Sequence, residues 1–309
     1  MNYLTKRIKN TTALLFSVLL VSCVQVDICR WAATPTIDST VRSHGVAFRI
    51  PTTNMDDLPL GSTLKYSRIS SEDNQVNLSI TEFNIPTQHT AIVYCGGNAF
   101  RQGQSAHALF KAFSPATNIL LFDYPGYGQS TGEATAQEFV IATDLLWRHI
   151  AKWQRDNNFT KVIFWGRSFG GTICARLAGK YPLNSTLVLE STYNNLQSLV
   201  SSRAGIFRSF LRVNFDAESP DFQIDKSLEN YTKPIALLKS SNDPVIPPEE
   251  SLKLAKRLVS QGKSVDVVNM GAISHKEVLE YPCIAANVFK KIGPAAEGIA
   301  INSALCAQQ

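Results

Sequence analysis

Short apolar runs alternate with longer amphipathic segments along most of this 309-residue chain, and this alternation constrains the fold more than any other feature. Apolar strands of about five residues separated by helices form parallel sheets with helices on both faces. The predicted strands are Ala91–Cys95, Asn118–Phe122, Lys161–Trp165, Thr186–Glu190, Pro234–Lys239 and Ser264–Asn269. The predicted helices are Gln104–Phe113, Ala134–Trp153, Phe169–Lys180, Pro248–Gln261 and His275–Lys291. We therefore predict an α/β protein with a mostly parallel central sheet.

The sheet is expected to begin with antiparallel strands. Leu64–Ile69 and Val76–Phe83 read as a hairpin because apolar and polar residues alternate in the second run, and a further strand is predicted at Val46–Ile50. No fixed-period repeat or internal linker divides the chain, so residues 61–309 are predicted to form one domain. Within it, residues 191–233 are the least regular part, and we expect either a small cap over a pocket or an ordinary helix packed on the sheet.

The N-terminus has the pattern of an export signal. Lys6, Arg7 and Lys9 precede an apolar run from Thr11 to Ser22, which is too short for the roughly 20 residues of a membrane span. The run ends in "LVSC", which resembles the lipobox of bacterial lipoproteins, in which the cysteine carries lipid. We predict a signal peptide at 1–22, lipidation of Cys23, and a leader and entry loop at 23–60. The protein would then be exported and membrane-anchored in a bacterial cell envelope. A plain signal peptide of a secreted protein, or an uncleaved anchor, is the alternative.

Net charge and cysteine spacing indicate which classes of partner and ligand to expect. The formal net charge of +5 is mild and no basic stripe with interleaved aromatics occurs, so nucleic acid is not an expected partner. No CxxC spacing occurs, and we predict neither a metal nor a cofactor. Beyond Cys23 the chain has an odd number of cysteines, which cannot all pair within it. Cys95 and Cys174 are predicted to be buried thiols, and Cys283 and Cys306 could pair in an oxidising compartment.

Residues Gly166-Arg167-Ser168-Phe169-Gly170 fit the pattern G-x-S-x-G between a predicted strand and a predicted helix. In that context the turn is a nucleophile elbow, which exposes a serine hydroxyl at the top of the sheet. The glycines remove steric conflict with neighbouring strands. The helix N-terminus directs N–H groups toward developing negative charge. Ser168 is therefore the predicted nucleophile, and a tight turn in which the serine only caps the helix is the alternative.

A serine hydroxyl is a weak nucleophile and needs a base. Among the five histidines only His275, in the loop "GAISHKE", follows Ser168, as the order serine, acid, histidine requires. The acid should lie between them at the end of a strand, where Asp243 is preferred over Asp225 and Asp266. Asp243 would orient the imidazole and stabilise its charged form, whereas an ordinary Asp-Pro turn is the alternative.

The loop after the strand that ends at Cys95 is the candidate oxyanion hole, the group of N–H donors that would bind negative charge on the substrate oxygen. It reads Gly96-Gly97-Asn98-Ala99. Backbone N–H groups of Asn98 and Phe169 are the predicted donors. A simple glycine turn between strand and helix is the alternative.

Five motifs together resemble the α/β-hydrolase serine hydrolases: "CGGNA", "LFDYPGYGQSTGE", "GRSFGG", "SSNDPVIP" and "GAISH", in that order. The "DYPGYGQSTG" stretch is similar to the subgroup that includes depalmitoylating and lysophospholipid hydrolases. The resemblance covers about residues 64–291 and implies the α/β-hydrolase fold. It also implies acyl transfer to Ser168, followed by hydrolysis by water activated through His275. One departure is Gly96, which stands where relatives commonly have histidine.

The expected function is hydrolysis of a carboxylic ester or thioester through an acyl-enzyme on Ser168, with His275 as base and Asp243 orienting it. An amidase or acyltransferase with the same three residues is the nearest alternative. A non-catalytic lipid- or partner-binding protein on this fold is a more distant one.

Overall fold

An eight-stranded sheet forms the centre of the protein. The computed structural model describes residues 60–98, 100–113, 117–181, 184–195, 199, 222–275, 278–281 and 291. The strands are β1 (Thr63–Ser70), β2 (Asn77–Asn84), β3 (Thr90–Cys95), β4 (Asn118–Phe122), β5 (Lys161–Arg167), β6 (Ser185–Glu190), β7 (Ile235–Lys239) and β8 (Val265–Asn269). Their spatial order is β1-β2-β4-β3-β5-β6-β7-β8. The two pairings that involve β2 are antiparallel and all other pairings are parallel. The predicted mostly parallel sheet with an antiparallel start is confirmed.

Helices connect the parallel strands. They are α1 (Gln102–Phe113), α2 (Ala136–Asp156), α3 (Gly170–Lys180), α4 (Ile224–Ser227) and α5 (Pro248–Ser260), followed by a 3₁₀ turn at Val278–Glu280. Thr135 caps α2 by accepting a hydrogen bond from the backbone N–H of Glu138, and Pro248 begins α5, where its missing N–H is not needed. None of the described helices combines the length and apolar composition needed to cross a bilayer.

Side chains alternate across each strand and so build two cores, one on each face of the sheet. On β5, Val162 and Phe164 join the core under helices α2 to α5. Ile163 and Trp165 join the opposite core, which includes residues of α1 and Val278 of the 3₁₀ turn. Helices therefore cover both faces of the sheet, as predicted. The carboxyl ends of the parallel strands form the edge at which the loops meet.

The structure corrects the prediction that Cys95 and Cys174 are free buried thiols, because it joins them in a disulfide. The pair is 79 residues apart in sequence, yet its Cα atoms are 5.9 Å apart. Helix α3 follows β5 and contacts β3, the neighbour of β5 in the sheet, which brings Cys174 to the end of β3. The candidate pair Cys283 and Cys306 lies outside the described residues.

The helix predicted from His275 does not begin there, because His275 lies in a bend and residues 278–280 form a 3₁₀ turn. The strand predicted at 46–50, and most of the segment 191–233, lie outside the described residues. Within that segment, α4 is the described helix, and Ile224 at its start is buried in the core.

Candidate active site

Ser168 lies at the turn between β5 and α3 in a conformation that few non-glycine residues adopt. Its φ angle is 52°, in the left-handed region. Its N–H donates to the carbonyl oxygen of Glu190 at 2.8 Å, and its own carbonyl oxygen accepts from Thr192 Oγ1 at 2.8 Å and from the N–H of Gly171 at 3.0 Å. The end of β6 therefore holds the elbow in its strained shape. Ser168 is only 7% exposed, less than expected for a hydroxyl at the top of the sheet.

Close backbone packing explains two glycines of the elbow. A Cβ on Gly170 would overlap the carbonyl groups of Cys95 and Gly96, and one on Gly166 would overlap Gly170 and Gly171. The first turn of α3 thus packs directly against the end of β3. This packing brings the candidate nucleophile next to the candidate oxyanion loop.

Ser168, His275 and Asp243 form a continuous chain of hydrogen bonds. His275 Nε2 lies 3.1 Å from Ser168 Oγ, and His275 Nδ1 lies 2.7 Å from Asp243 Oδ2. An ionised carboxylate can only accept, so Nδ1 carries the imidazole proton and Nε2 is left to accept from the serine hydroxyl. Such a chain can move a proton from the hydroxyl to the ring while the carboxylate holds the ring in place.

The surroundings of Asp243 keep it ionised. Burial by itself raises the pKa of its carboxyl group. The hydrogen bond from His275, the backbone N–H groups of Ile246 and Val245, and the attraction of His275 outweigh burial, so the pKa lies below the ordinary value of 3.8. Both N–H groups donate to Oδ1 at 2.8 Å, which leaves Oδ2 for the histidine.

The rival acid Asp266 is exposed on the edge strand β8. Asp225 is buried and pairs with Arg257 instead.

The loop that carries His275 is attached to the end of β7. Ser240 Oγ donates to the carbonyl oxygen of Ile273, and the N–H of Ser241 donates to that of Gly271 at 2.8 Å. Arg167, the residue before Ser168, donates from Nη2 to the carbonyl oxygen of His275 at 2.7 Å. Hydrogen bonds from the ends of β5 and β7 to carbonyl oxygens of this loop therefore hold His275 in position.

The candidate oxyanion loop is held by the motif "DYPGYGQSTG". Tyr124 Oη donates to the carbonyl oxygen of Gly96 at 2.6 Å, and Tyr127 Oη donates to Asn98 Oδ1 at 2.8 Å. Burial, with smaller effects of Tyr127 and Tyr193, raises the pKa of Tyr124 well above 10.0, so its hydroxyl stays protonated and can donate. The Arg101 guanidinium lies over the ring of Tyr127, with 5.9 Å between Arg101 Cζ and the ring centroid.

Asp123 in turn shapes the motif that supplies these tyrosines. Its carboxylate is buried and accepts from the N–H groups of Gln102 at 2.8 Å and Gln129 at 3.0 Å. Gly128 has a φ of 47°, and a Cβ there would overlap this carboxylate. The motif is thus a supporting loop, a role that its sequence did not reveal.

Phe100 explains the glycine at position 96. A Cβ on Gly96 would overlap the ring of Phe100, so a histidine at this position does not fit beside that ring. Gly97 lies against the elbow, since a Cβ there would be 3.4 Å from Ser168 Cβ. Phe169 directly follows Ser168, is buried, and precedes the first residue of α3. Asn98 is exposed, and Ala99 lies outside the described residues.

Sequence reasoning missed several residues around the site. Arg167, Tyr124, Tyr127 and Glu190 contact the loops that hold Asn98, Ser168 and His275. Tyr124 and Tyr127 lie in a motif that could be recognised as unusual. Arg167 and Glu190 carry no sequence signal beyond their places at strand ends. The described residues include no group of three or more His, Cys, Asp or Glu side chains placed to hold a metal ion.

The fold, with the elbow after β5, is that of the α/β hydrolases. A family model described as "alpha/beta hydrolase fold" matches residues 91–211. An esterase of Pyrococcus furiosus, Pf2001, superposes with a TM-score of 0.57 over 78% of this chain and 95% of its own, at 18% sequence identity. A puromycin-hydrolysing peptidase of Mycobacterium tuberculosis superposes with a TM-score of 0.56 over 77% of this chain and 41% of its own, at 14% identity. At these identities the superpositions establish the fold alone.

The chain is 27% identical over 185 residues to the lysophosphatidylserine lipase ABHD12 of Macaca fascicularis. The match covers 55% of this chain and 46% of the lipase, so the chain spans about half the length of that relative. Protein ABHD12B of Homo sapiens is 28% identical over 179 residues, or 53% of this chain and 48% of that protein. The chain therefore has the α/β-hydrolase fold and is similar in sequence to a lysophosphatidylserine lipase.

Proposed function

We propose that the protein is a serine hydrolase that cleaves a carboxylic ester or thioester of a small molecule. The hydrogen-bonded chain from Ser168 through His275 to Asp243, with the serine in a left-handed elbow, is the observation that carries this proposal. A protein that only binds needs neither the strained serine nor the ionised carboxylate behind the histidine. Both features are what activation of a serine hydroxyl demands.

The reaction follows from these positions in two steps. Ser168 Oγ attacks the substrate carbonyl carbon while its proton passes to His275 Nε2, and the carbonyl oxygen takes up negative charge beside the N–H groups of Phe169 and Asn98. When the tetrahedral intermediate collapses, the bond to the leaving alcohol or thiol breaks, and that group takes the proton from Nε2. Water then gives a proton to Nε2 and attacks the acyl carbon. When this second tetrahedral intermediate collapses, the bond to Ser168 Oγ breaks, Oγ takes the proton back from Nε2, and the carboxylic acid is released. Asp243 stays ionised throughout and stabilises the imidazolium.

The relatives support an ester as the substrate. ABHD12 is named a lysophosphatidylserine lipase, and a lipase cleaves a carboxylic ester. A thioester reacts through the same acyl-enzyme, because only the leaving atom differs. An amide or an acyl acceptor other than water would also use this site, so substrate assays must compare these leaving groups and acceptors.

A fluorophosphonate probe tests the nucleophile directly. Wild-type protein should be labelled and should hydrolyse a chromogenic acyl ester, and Ser168→Ala should do neither while keeping its melting temperature within a few degrees. Ser260→Ala, at the exposed end of α5, is the matched control and should behave as wild type. Labelling or turnover by folded Ser168→Ala excludes Ser168 as the nucleophile, and a wild-type protein that neither labels nor turns over is a binding protein.

We further propose that the protein is exported and anchored to a bacterial membrane through lipid on Cys23. The basic start, the apolar run and "LVSC" motivate this, and residues 1–59 lie outside the described part of the chain. The disulfide between Cys95 and Cys174 gives independent support, since such bonds persist in oxidising compartments. One acyl chain binds a membrane only marginally, whereas the several chains of a lipoprotein give stable anchoring.

Metabolic labelling with an alkyne fatty acid, followed by membrane fractionation, tests the anchor. Wild-type protein should take up label and sediment with membranes. Cys23→Ser should lose the label and either leave the membrane fraction or stall before processing. Cys29→Ser, six residues away, is the control and should keep both properties. Unchanged label and fractionation in Cys23→Ser would reject the lipid anchor.

A further inference from the structure

Arg167 points to the side of the sheet where the histidine loop lies. Residues of β5 alternate between faces, and Ile163 and Trp165 face the core that includes Ile273 and Val278. Arg167 stands two residues after Trp165, at the carboxyl end of β5, and so faces the same side of the sheet. Its side chain therefore extends toward the segment on either side of His275, although Ser168 is its next neighbour in sequence.

The guanidinium of Arg167 lies between the two loops that flank Ser168. Nη2 donates to the carbonyl oxygen of His275 at 2.7 Å. On its other side, a Cβ added to Gly97 would be 3.0 Å from Nη1, so the guanidinium packs against the candidate oxyanion loop. A planar group with five donors in a fixed geometry can span two loops in this way, whereas the single ammonium of lysine cannot.

Glu190 holds the next part of the same segment. It stands opposite Arg167 in the ladder between β5 and β6 and is fully buried. Its Oε1 accepts from the N–H of Val278 at 2.7 Å, and its Oε2 accepts from Trp165 Nε1 at 2.8 Å. His275 is thus held by Arg167 and Val278 by Glu190, and both of these residues stand at the ends of strands next to the elbow.

We propose that Arg167 is a positioning residue, which sets the distance between His275 Nε2 and Ser168 Oγ by holding the backbone of His275 from β5. This inference rests on the proposed function. Asp243 fixes the rotation of the imidazole ring, but ring rotation alone does not fix the place of the loop. The end of β7 holds Gly271 and Ile273, and Glu190 holds Val278, but Arg167 binds the backbone of His275 itself and does so from the residue adjacent to the nucleophile. It acts through the backbone of His275 rather than on a reacting atom.

Loss of this restraint should slow chemistry without weakening substrate binding. A base displaced by a fraction of an ångström loses proton transfer steeply, so Arg167→Met should lower kcat by about 10- to 100-fold. KM should stay within twofold, and fluorophosphonate labelling should slow by the same factor as kcat. Arg167→Lys keeps the charge and N–H donors but loses the planar guanidinium, so its kcat should fall between those of wild type and Arg167→Met.

Two controls separate positioning from stability. Arg176 is a buried arginine on α3 that donates to Thr143 of α2, so Arg176→Met should lower the melting temperature while kcat per folded molecule stays at the wild-type value. The second control is an NMR measurement, which does not depend on turnover. The Nδ1 proton of His275, shared with Asp243, should give a low-field proton NMR signal in wild type, and Arg167→Met should broaden or remove it.

The outcomes distinguish this inference from the proposed function. If wild-type protein hydrolyses esters and Arg167→Met has unchanged kcat and an unchanged low-field signal, Arg167 does not position the base. A rise in KM alone would also reject the inference, because it would make Arg167 a substrate-binding group. If wild-type protein neither labels nor turns over, the proposed function fails, and the NMR comparison still decides whether Arg167 holds the histidine.

Discussion

Tyr127 Oη donates a 2.8 Å hydrogen bond to Asn98 Oδ1, joining two loops that are 29 residues apart in sequence. Asn98 is exposed and lies just beyond the end of β3, so this hydrogen bond ties an exposed side chain to a buried one. Tyr127 is fully buried, and its ring packs edge-on against Tyr124, whose hydroxyl binds Gly96. The two tyrosines therefore attach the loop that would bind the oxyanion to the buried core.

Tyr127→Phe should lower kcat with little change in stability. The ring and its packing remain, while one donor to Asn98 is lost, and a net hydrogen bond of this kind is worth about a 2- to 10-fold change in rate. Tyr66→Phe, on the exposed strand β1, is the matched control and should have wild-type kcat. Steady-state kinetics and thermal melts of both variants test this. A Tyr127→Phe protein with wild-type kcat would show that Asn98 needs no such support.

Asp243→Asn should abolish most activity, whereas Asp266→Asn should not. An amide beside Nδ1 favours the wrong tautomer, so Nε2 would carry a proton and could not accept one, and the rate should fall by about 10⁴-fold. Asp266 is exposed on β8, so its amide variant should stay near wild type. The measurement is kcat/KM against one ester, with folding checked by melting. The reverse result would assign the acid to β8 and would contradict the site described above.

The contribution of Asp243 to the free energy of unfolding should decrease as the pH becomes acidic. Its folded-state pKa lies below 3.8, so folding favours the ionised form. Its stabilisation is present above the unfolded-state pKa and is lost as pH falls through the folded-state value. The unfolding free energy of wild type should therefore exceed that of Asp243→Asn at about pH 5, and the difference should shrink toward about pH 2. Urea titrations of both proteins across this range test the sign, and a difference that grows toward acid pH contradicts it.

Reduction of the disulfide between Cys95 and Cys174 should destabilise the protein. The bond closes a loop of 79 residues between β3 and α3, and removal of such a link costs about 2–4 kcal/mol. The melting temperature should therefore drop when reductant is added, with reduction verified by alkylation and mass. The double variant Cys95→Ala/Cys174→Ala should melt low in both conditions. An identical melting temperature for the oxidised and fully reduced wild type would show that the bond adds no stability.

Local pattern was enough to predict much of the fold. Five-residue apolar runs between amphipathic segments predicted the parallel strands and the helices that cover them, because burial on both faces demands apolar residues throughout a strand. The alternation after Val76 predicted the antiparallel start, where β1 and β2 pair. The helix predicted from His275 was wrong at its start, because Val278 instead donates its N–H to Glu190 and forms a 3₁₀ turn.

By itself, the sequence determined the fold class and the identities of the candidate Ser168, Asp243 and His275, since glycine spacing and the order of polar residues after strands are local properties of the chain. Tertiary structure alone decided which distant residues meet. Placing β3 between β4 and β5 put Cys95 beside Cys174, and the loop after β8 put the carbonyl of His275 against Arg167. Proximity of this kind depends on strand order and on how helices cross the sheet, and neither leaves a pattern in any short stretch of sequence.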